Sequence, residues 1–118
     1  MIQSFGNLPT GEQVRLYTIG AGRVKAAISD LGATLVSLWV EGVDVVLGYD
    51  DASGYLNNGG FVGAVVGRNA NRIENSRFNL NGKTVQLTPN EGTTNLHSGP
   101  EPFNVRMWSV EASESASV

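Results

Sequence analysis

The chain of 118 residues contains no cysteine and only one histidine, His97. Without cysteine there are no disulfides and no thiolate metal ligands, and a single imidazole would need carboxylates to complete a metal site. The sequence therefore argues against a zinc centre, and we expect no bound metal.

Charged side chains are also scarce. Eight Lys and Arg residues against eleven Asp and Glu residues give a formal net charge of -3. Nucleic-acid-binding proteins usually carry a clustered Lys/Arg face, whereas the basic residues here are spread along the chain. The balance argues against nucleic acid and anionic membranes as partners and favours a small, uncharged, polar ligand.

Long apolar runs are absent as well. None approaches the roughly 20 residues that a membrane-spanning helix needs, and residues 1–13, MIQSFGNLPTGEQ, lack the basic flank and apolar stretch of a signal peptide. We expect a cytoplasmic protein with no membrane partner. Its length suits a single domain over residues 1–118.

No long segment has the 3.6-residue period of an amphipathic helix. Instead, fifteen glycines separate short runs rich in Val, Leu, Ile, Thr and Phe, which is typical of an all-β protein. The pattern predicts one helical turn at 50–56 and a polar segment at 109–118 that starts a strand and then frays. The predicted strands are 24–28, 34–40, 43–49, 61–67 and 102–108.

The sharpest local signal is a β-hairpin in SRFNLNGKTVQL. Asn81 and Gly82 suit the two positive-φ positions of a type I′ turn. Pairing about this turn sets Leu80 opposite Lys83 and Phe78 opposite Val85, with the apolar residues on one face.

Polar residues suited to hydroxyl recognition occur just before and just after this hairpin. They are Arg68, Asn69, Asn71, Arg72, Asn95 and His97. Because a hairpin returns the chain toward its origin, we expect Arg72 and His97 to meet at one end of a sheet. Amide, guanidinium and imidazole donors in fixed positions are what recognition of several hydroxyls on one small molecule requires.

Spacing alone favours plainer roles for these residues. A single loop histidine is more often exposed or bonded to backbone, Arg72 suits the protein surface, and Asn71 suits a turn in the left-handed region. Sugars stack on aromatic faces such as those of Trp39 and Trp108, but the apolar neighbours of both favour packing in the core.

Two acidic residues flank the histidine loop. Glu91 and Glu101 are eligible to orient the imidazole of His97. Most loop glutamates are solvated, so solvation competes with this role.

The order of motifs resembles the N-terminal part of the aldose 1-epimerase, or galactose mutarotase, family. The similarity covers residues 28 to 108. The motifs, in chain order, are ISDLGATLVSLWV, DVVLGYDDASGYL, VGRNANRI, RFNLNGKTVQL, NEGTTNLHSG and PFNVRMW.

This resemblance implies an all-β fold, an antiparallel β-supersandwich of which the chain is an N-terminal portion. It also implies interconversion of the α and β anomers of free aldohexoses such as galactose and glucose, without metal or organic cofactor. A carboxylate base takes the proton of the anomeric hydroxyl while an acid protonates the ring oxygen, so the ring opens and recloses on the other face.

Carried over residue by residue, the resemblance makes Asn71 and Arg72 ligands of sugar hydroxyls. His97 matches a histidine that holds the sugar near its reacting end, a supporting catalytic role. The family's general acid histidine, a substrate-binding aspartate and the general base glutamate all come later than these motifs. We therefore expect the 118-residue chain to be inactive by itself, and Ser98 stands where the family usually has glycine.

Three alternatives remain open at this stage. The first is a non-catalytic carbohydrate-binding module of the same fold, the second is a purely structural piece, and the third is an enzyme for phosphorylated sugars, on which some relatives act. Uncovered sheet edges predict a partner, either a second chain with the remaining fold or a second copy.

Overall fold

The computed structural model describes residues 1–111, which divide into two compact units. One unit comprises residues 1–65 and 104 onward, and the other comprises residues 66–103. The prediction of one domain over residues 1–118 extends beyond the described range and stays a prediction. The elements of the first unit are β1 (Ile2–Asn7), β2 (Gln13–Ala21), β3 (Val24–Ser29), β4 (Leu35–Val40), β5 (Val43–Asp44) and α1 (Ala52–Leu56).

The first unit is built on one five-stranded sheet with the order β1-β2-β3-β4-β5, in which every neighbouring pair is antiparallel. Short connections allow this arrangement, because only residues 22–23 join β2 to β3 and only residues 41–42 join β4 to β5. Glu41 and Gly42 have φ of 52° and 88°, the left-handed values that a tight hairpin requires.

One face of this sheet carries the core. Leu16 and Ala27 are buried on it, and α1 contributes Ala52 and Tyr55. The Tyr55 hydroxyl accepts a hydrogen bond from the Tyr49 backbone N–H at 2.9 Å, so the one polar group of this buried ring is satisfied. The helix begins after Asp51, whose carboxylate accepts from the Ser53 N–H at 2.8 Å.

The opposite face of the sheet is apolar and largely uncovered within residues 1–111. Cross-strand pairing aligns three apolar rows on it, which we call the outer sheet face: Ile2, Tyr17 and Ile28; Ile19, Ala26 and Leu38; Val24, Val40 and Val43. Four of these residues are exposed, from 40% at Val40 to 63% at Val43.

Residues 104–108 run back against the segment that follows β3. The Gly32 N–H donates to the Arg106 carbonyl at 2.7 Å, and the Trp108 N–H donates to the Asp30 carbonyl at 2.8 Å. Leu31, only 1% exposed, forms a single bridge with Met107. Gly32 permits this contact, because a Cβ there would lie 2.3 Å from the Asn104 carbonyl oxygen.

The second unit contains two small antiparallel pairs, β6 with β9 and β7 with β8. Its strands are β6 (Arg72–Ile73), β7 (Arg77–Leu80), β8 (Lys83–Gln86) and β9 (Asn95–Leu96), and a 3-10 helix spans Glu74–Ser76. A second 3-10 helix, Phe103–Val105, begins at the last residue of this unit and continues into the first unit. The hairpin has the predicted register, with Leu80 opposite Lys83 and Phe78 opposite Val85.

Several sequence predictions are confirmed. The strands predicted at 24–28 and 34–40 are β3 and β4, and the helical turn predicted at 50–56 is α1. Trp39 packs partly buried against the core, as expected. The strands β1 and β2 were not predicted. No helix within residues 1–111 has the length and apolarity needed to cross a bilayer.

Other predictions are wrong. Residues 61–67 contain a turn at 62–63 and no strand, since Phe61 and Gly63 take φ of 53° and 65°, which an extended strand cannot contain. The strand predicted at 43–49 ends at Asp44, whose carboxylate accepts the Leu38 and Val46 backbone N–H groups.

The C-terminal predictions also fail where the structure describes them. The segment 102–108 forms a 3-10 helix and one bridge, because its backbone pairs only briefly with residues 30–32. Trp108 is 39% exposed, so it is not a core residue. Residues 109–111 form no strand, and the rest of the frayed segment predicted at 109–118 lies outside the described residues.

Candidate functional site

The pairing of β6 with β9 brings the predicted site residues together within the second unit. Arg72 lies opposite Leu96, so Asn71 and His97 are neighbours at one end of this pair. The His97 N–H donates to the Asn71 carbonyl at 3.0 Å, and the Asn71 N–H donates to His97 Nδ1 at 2.9 Å. The sequence predicted that Arg72 and His97 would meet. The structure brings their two segments together, with His97 bonded to Asn71 and Arg72 opposite the adjacent Leu96.

The second of these bonds selects one tautomer of the neutral imidazole. Because Nδ1 accepts the Asn71 N–H, the proton of the neutral ring is on Nε2. Asn71 and His97 both have left-handed backbones, with φ of 63° and 51°. Asn71 thus has the expected turn conformation, and its backbone N–H also orients the imidazole of His97.

Arg72 is held by Glu91 through two parallel hydrogen bonds. Its Nε donates to Glu91 Oε2 at 2.5 Å and its Nη2 donates to Oε1 at 2.7 Å. Hydrogen bonds from the Arg72 guanidinium, together with its positive charge, lower the pKa of Glu91, and the carboxylate in turn raises the pKa of Arg72. Both side chains are about half exposed, which keeps the pair accessible to a ligand.

The loop that carries Glu91 and His97 is shaped by hydrogen bonds of its own. The Asn90 side chain accepts from the Leu96 N–H at 2.7 Å and donates to the Leu96 carbonyl at 2.9 Å, so it acts as a strand partner for β9. Glu91 and Thr94 form a bridge, and the buried Ser76 hydroxyl donates to the Thr93 carbonyl at 2.8 Å. These contacts place Glu91 beside Arg72.

Ser98 holds the other end of the loop in place. Its hydroxyl accepts from the Asn69 N–H at 2.9 Å and donates to the Asn69 carbonyl, also at 2.9 Å. Gly99 follows with φ of 90°, and a Cβ there would lie 2.8 Å from Asn95 Nδ2. The serine therefore ties together the two loops that carry Asn71 and His97.

The remaining candidates have different positions. Asn95 is 2% exposed and donates to the Thr88 carbonyl at 2.7 Å, so it serves the loop rather than a ligand. The Arg68 guanidinium lies 5.6 Å from the centre of the Phe103 ring. Glu101 is exposed, and its orienting role stays a prediction.

Sequence reasoning proposed Asn71, Arg72 and His97 as site residues and named Glu91 only as eligible to orient the imidazole. The structure shows the Glu91 carboxylate bound to the guanidinium of Arg72, a pair that the sequence did not predict. A separation of 19 residues across a hairpin and a loop carries no periodic signal that would have predicted this pair. Among residues 1–111, no three His, Asp or Glu side chains are close enough to hold a metal ion.

Comparison with known proteins relates this chain to one family. Residues 15–118 match the family model described as aldose 1-epimerase. The chain is 40% identical over 109 residues to the aldose 1-epimerase of Escherichia coli (strain K12), covering 86% of this chain and 31% of that protein. It is 38% identical over 110 residues to the galactose mutarotase of Bos taurus, covering 88% and 32%. The chain thus spans about a third of the length of the curated relatives it matches.

Solved structures give the same relationship. The aldose epimerase homologue from C. elegans superposes with a TM-score of 0.77 at 34% identity, covering 85% of this chain and 33% of that one. A galactose 1-epimerase from Lactobacillus acidophilus shares the fold with a TM-score of 0.79 at 20% identity, covering 92% and 32%. The predicted antiparallel β fold of the mutarotase type and the resemblance to the N-terminal part of its family are both confirmed. The chain belongs to the aldose 1-epimerase family.

Proposed function

We propose that Asn71, Arg72 and His97 form part of the sugar site of an aldose 1-epimerase that interconverts the α and β anomers of free aldohexoses such as galactose and glucose. The longer protein that would contain this chain is called the parent protein below. The observation that carries the proposal is the paired hydrogen bonding of Asn71 with His97 beside the Arg72–Glu91 ion pair.

Each residue offers a different group to a sugar. Glu91 occupies Nε and one side of Nη2, so the remaining guanidinium hydrogens of Arg72 are oriented for hydroxyl oxygens. The Asn71 side-chain amide both donates and accepts, which matches a hydroxyl in either role. His97 contributes its imidazole ring, which the hydrogen bond from the Asn71 N–H to Nδ1 holds in a fixed orientation.

The charge of the site supports a neutral ligand. The positive charge of Arg72 is already balanced by Glu91, so little unpaired positive charge remains at this pair for a phosphate. We therefore propose a free aldose rather than a phosphorylated sugar as the substrate.

Mutarotation requires an acid and a base that exchange protons with the sugar. In this proposal, Asn71, Arg72 and His97 bind the sugar and do not supply that acid or base. A carboxylate takes the proton of the anomeric hydroxyl, the bond between C1 and the ring oxygen breaks, and an acid protonates the ring oxygen. The resulting aldehyde rotates about its C1–C2 bond and recloses on the other face. His97 is the only histidine of the chain and has a binding role here, so the second histidine and the late glutamate of the family would have to supply the acid and base.

The proposal is tested by polarimetry of freshly dissolved α-D-galactose. We expect the parent protein to accelerate mutarotation and the 118-residue chain to match the buffer blank, because binding groups alone do not perform general acid–base catalysis. Turnover by the isolated chain would contradict this assignment and would require His97 to act with Glu91 or Glu101 as the acid–base pair.

The second candidate function is a non-catalytic carbohydrate-binding module. It is favoured by the composition of the site, in which all three proposed ligand contacts come from hydrogen-bonding groups and the Glu91 carboxylate is engaged by Arg72. A parent protein that binds galactose in calorimetry without accelerating mutarotation would establish this alternative.

We also propose that the outer sheet face is covered in the functional protein, either by a second chain carrying the remaining fold or by a second copy. Its exposed valines and isoleucine support this proposal, because apolar sheet faces favour burial. When the 118-residue chain is alone, only a second copy is present, so sedimentation velocity should show self-association. Val40→Lys should weaken it, and Leu47→Lys, at an exposed position outside this face, should not. A stable monomer of ordinary solubility would contradict the proposal.

A further inference from the structure

A recessed surface lies on the first unit, built from residues that the proposed sugar site does not use. Gly20, Lys25 and Trp39 form one cross-strand row on the core side of the sheet. The absence of a side chain at Gly20 makes room for the lysine stem, since a Cβ there would lie 2.8 Å from Lys25 Cγ. Lys25 therefore lies between a glycine and an indole.

This row opens into a surface pocket of about 600 Å³, which we call the Trp39 pocket. Trp39 packs against the core and also lines the pocket, which limits the freedom of the indole. The hairpin tips on either side of the row contribute Gly22 and Gly42, where a Cβ would meet nothing within 4 Å. The pocket is thus bordered by open backbone and has an aromatic wall.

The charges of the Trp39 pocket are unequal. Arg23 forms an ion pair with Glu41 across the two hairpin tips, and this pair neutralises itself. Lys25 forms no ion pair or hydrogen bond with any side chain of residues 1–111. The lining therefore retains one positive charge next to the indole.

An indole and an uncompensated ammonium together match a particular ligand chemistry. The apolar face of a pyranose ring stacks on Trp, and its hydroxyls fit a rim that offers donors at Arg23 and acceptors at Glu41. An acidic substituent on the same ring would satisfy Lys25 by a charge-assisted hydrogen bond. We propose that the Trp39 pocket is a second carbohydrate-binding site that takes a monosaccharide carrying one acidic group.

The test uses the 118-residue chain with Trp108→Phe, which leaves Trp39 as the only tryptophan. D-galacturonate and D-galactose 6-phosphate are titrated separately, with the indole N–H resonance and fluorescence of Trp39 as readouts. We expect a saturable response to at least one acidic sugar, and the two arms distinguish a carboxylate from a phosphate. Neutral D-galactose should bind at least about tenfold more weakly, because it leaves Lys25 unsatisfied.

Two lysine variants separate this site from general charge effects. Lys25→Gln should weaken binding of the acidic sugar about tenfold, whereas Lys83→Gln, which removes the same charge from the exposed hairpin of the other unit, should leave it unchanged. Circular dichroism establishes that both variants are folded. No response of Trp39 to either acidic sugar, or an equal response to galactose, would overturn the proposal. Equal losses in the two lysine variants would do the same.

Because the Trp39 pocket and the proposed sugar site use different residues, their failures are distinguishable. Arg72→Ala should leave the Trp39 response unchanged. Loss of that response in Arg72→Ala would instead assign the acidic sugar to the Arg72 site and overturn a separate Trp39 site.

Discussion

Replacing Gly32 with alanine is expected to lower the free energy of unfolding by several kcal/mol. Gly32 has φ of 72°, a conformation that costs an ordinary residue about 1–2 kcal/mol. The new Cβ would also lie 2.3 Å from the Asn104 carbonyl oxygen and 2.7 Å from its Cα, which are backbone atoms that cannot move aside without shifting the chain. Such overpacking adds about 1–3 kcal/mol, a large share of the net stability of a small protein.

A second glycine with a similar φ but no close neighbour separates the effect of the steric contact from the effect of the backbone conformation. Gly22 has φ of 59°, and a Cβ there would meet nothing within 4 Å. Gly22→Ala should therefore lower the free energy of unfolding only by the cost of the left-handed backbone, about 1 kcal/mol. Urea denaturation of both variants measures the difference. Equal losses would show that residues 104–108 do not pack against Gly32 in solution.

The largest expected effect on activity comes from Arg72. In the parent protein, Arg72→Ala should lower kcat/KM for galactose about 100-fold, because the role proposed for the guanidinium is to position sugar hydroxyls and small misplacements of a substrate carry penalties of this size. Arg77→Ala, which removes an exposed arginine from β7 of the same unit, is the control and should leave kcat/KM unchanged. If both variants retain full activity, the assignment of Arg72 as a sugar ligand is wrong.

Glu91→Gln tests whether the carboxylate acts through Arg72. We expect a smaller loss, about tenfold in kcat/KM, since a glutamine can still accept one hydrogen bond but no longer holds both guanidinium nitrogens. The pH dependence gives a second readout. The pKa of Glu91 is held below its usual value of 4.5 by the Arg72 hydrogen bonds, so the pair stabilises the folded state at pH values above 4.5.

As the pH falls through the lowered pKa of folded Glu91, the carboxylate takes up a proton and that stabilisation is lost. The wild-type protein should therefore retain its Arg72 geometry to below pH 4.5, and a carboxyl NMR titration should find Glu91 ionised there. In Glu91→Gln, position 91 has no ionisable group and should show no titration. A normal Glu91 pKa in solution would contradict the ion pair.

Sequence patterns correctly predicted the secondary-structure elements that depend on residues close together in the chain. The hairpin of β7 and β8 has the expected register because Asn81 and Gly82 adopt positive φ in a two-residue turn. The strand β3 follows from simple alternation, and α1 from a short capped segment. These elements depend on neighbours in the sequence, so propensity and turn chemistry suffice.

Apolar content gave wrong predictions of secondary structure where left-handed backbone conformations turn the chain. The run at 61–67 reads as a buried strand, but left-handed residues turn it, and the Gly63 carbonyl accepts the Leu35 N–H at 2.9 Å. Trp108 has apolar neighbours in sequence and is nonetheless 39% exposed. Burial depends on which surfaces the completed fold brings together, and adjacency in the chain does not determine that.

By itself, the sequence determined the all-β class, the hairpin register and, through the order of its motifs, membership of the aldose 1-epimerase family with Asn71, Arg72 and His97 as candidate ligands. Only the tertiary structure decided the tautomer of His97, the pairing of Glu91 with Arg72 and the anchoring of Ser98 to Asn69. The physical reason is the separation in sequence between the groups that interact. Turns and alternation act over a few residues, whereas these hydrogen bonds join groups 19 to 29 residues apart, whose meeting depends on the path of the whole unit.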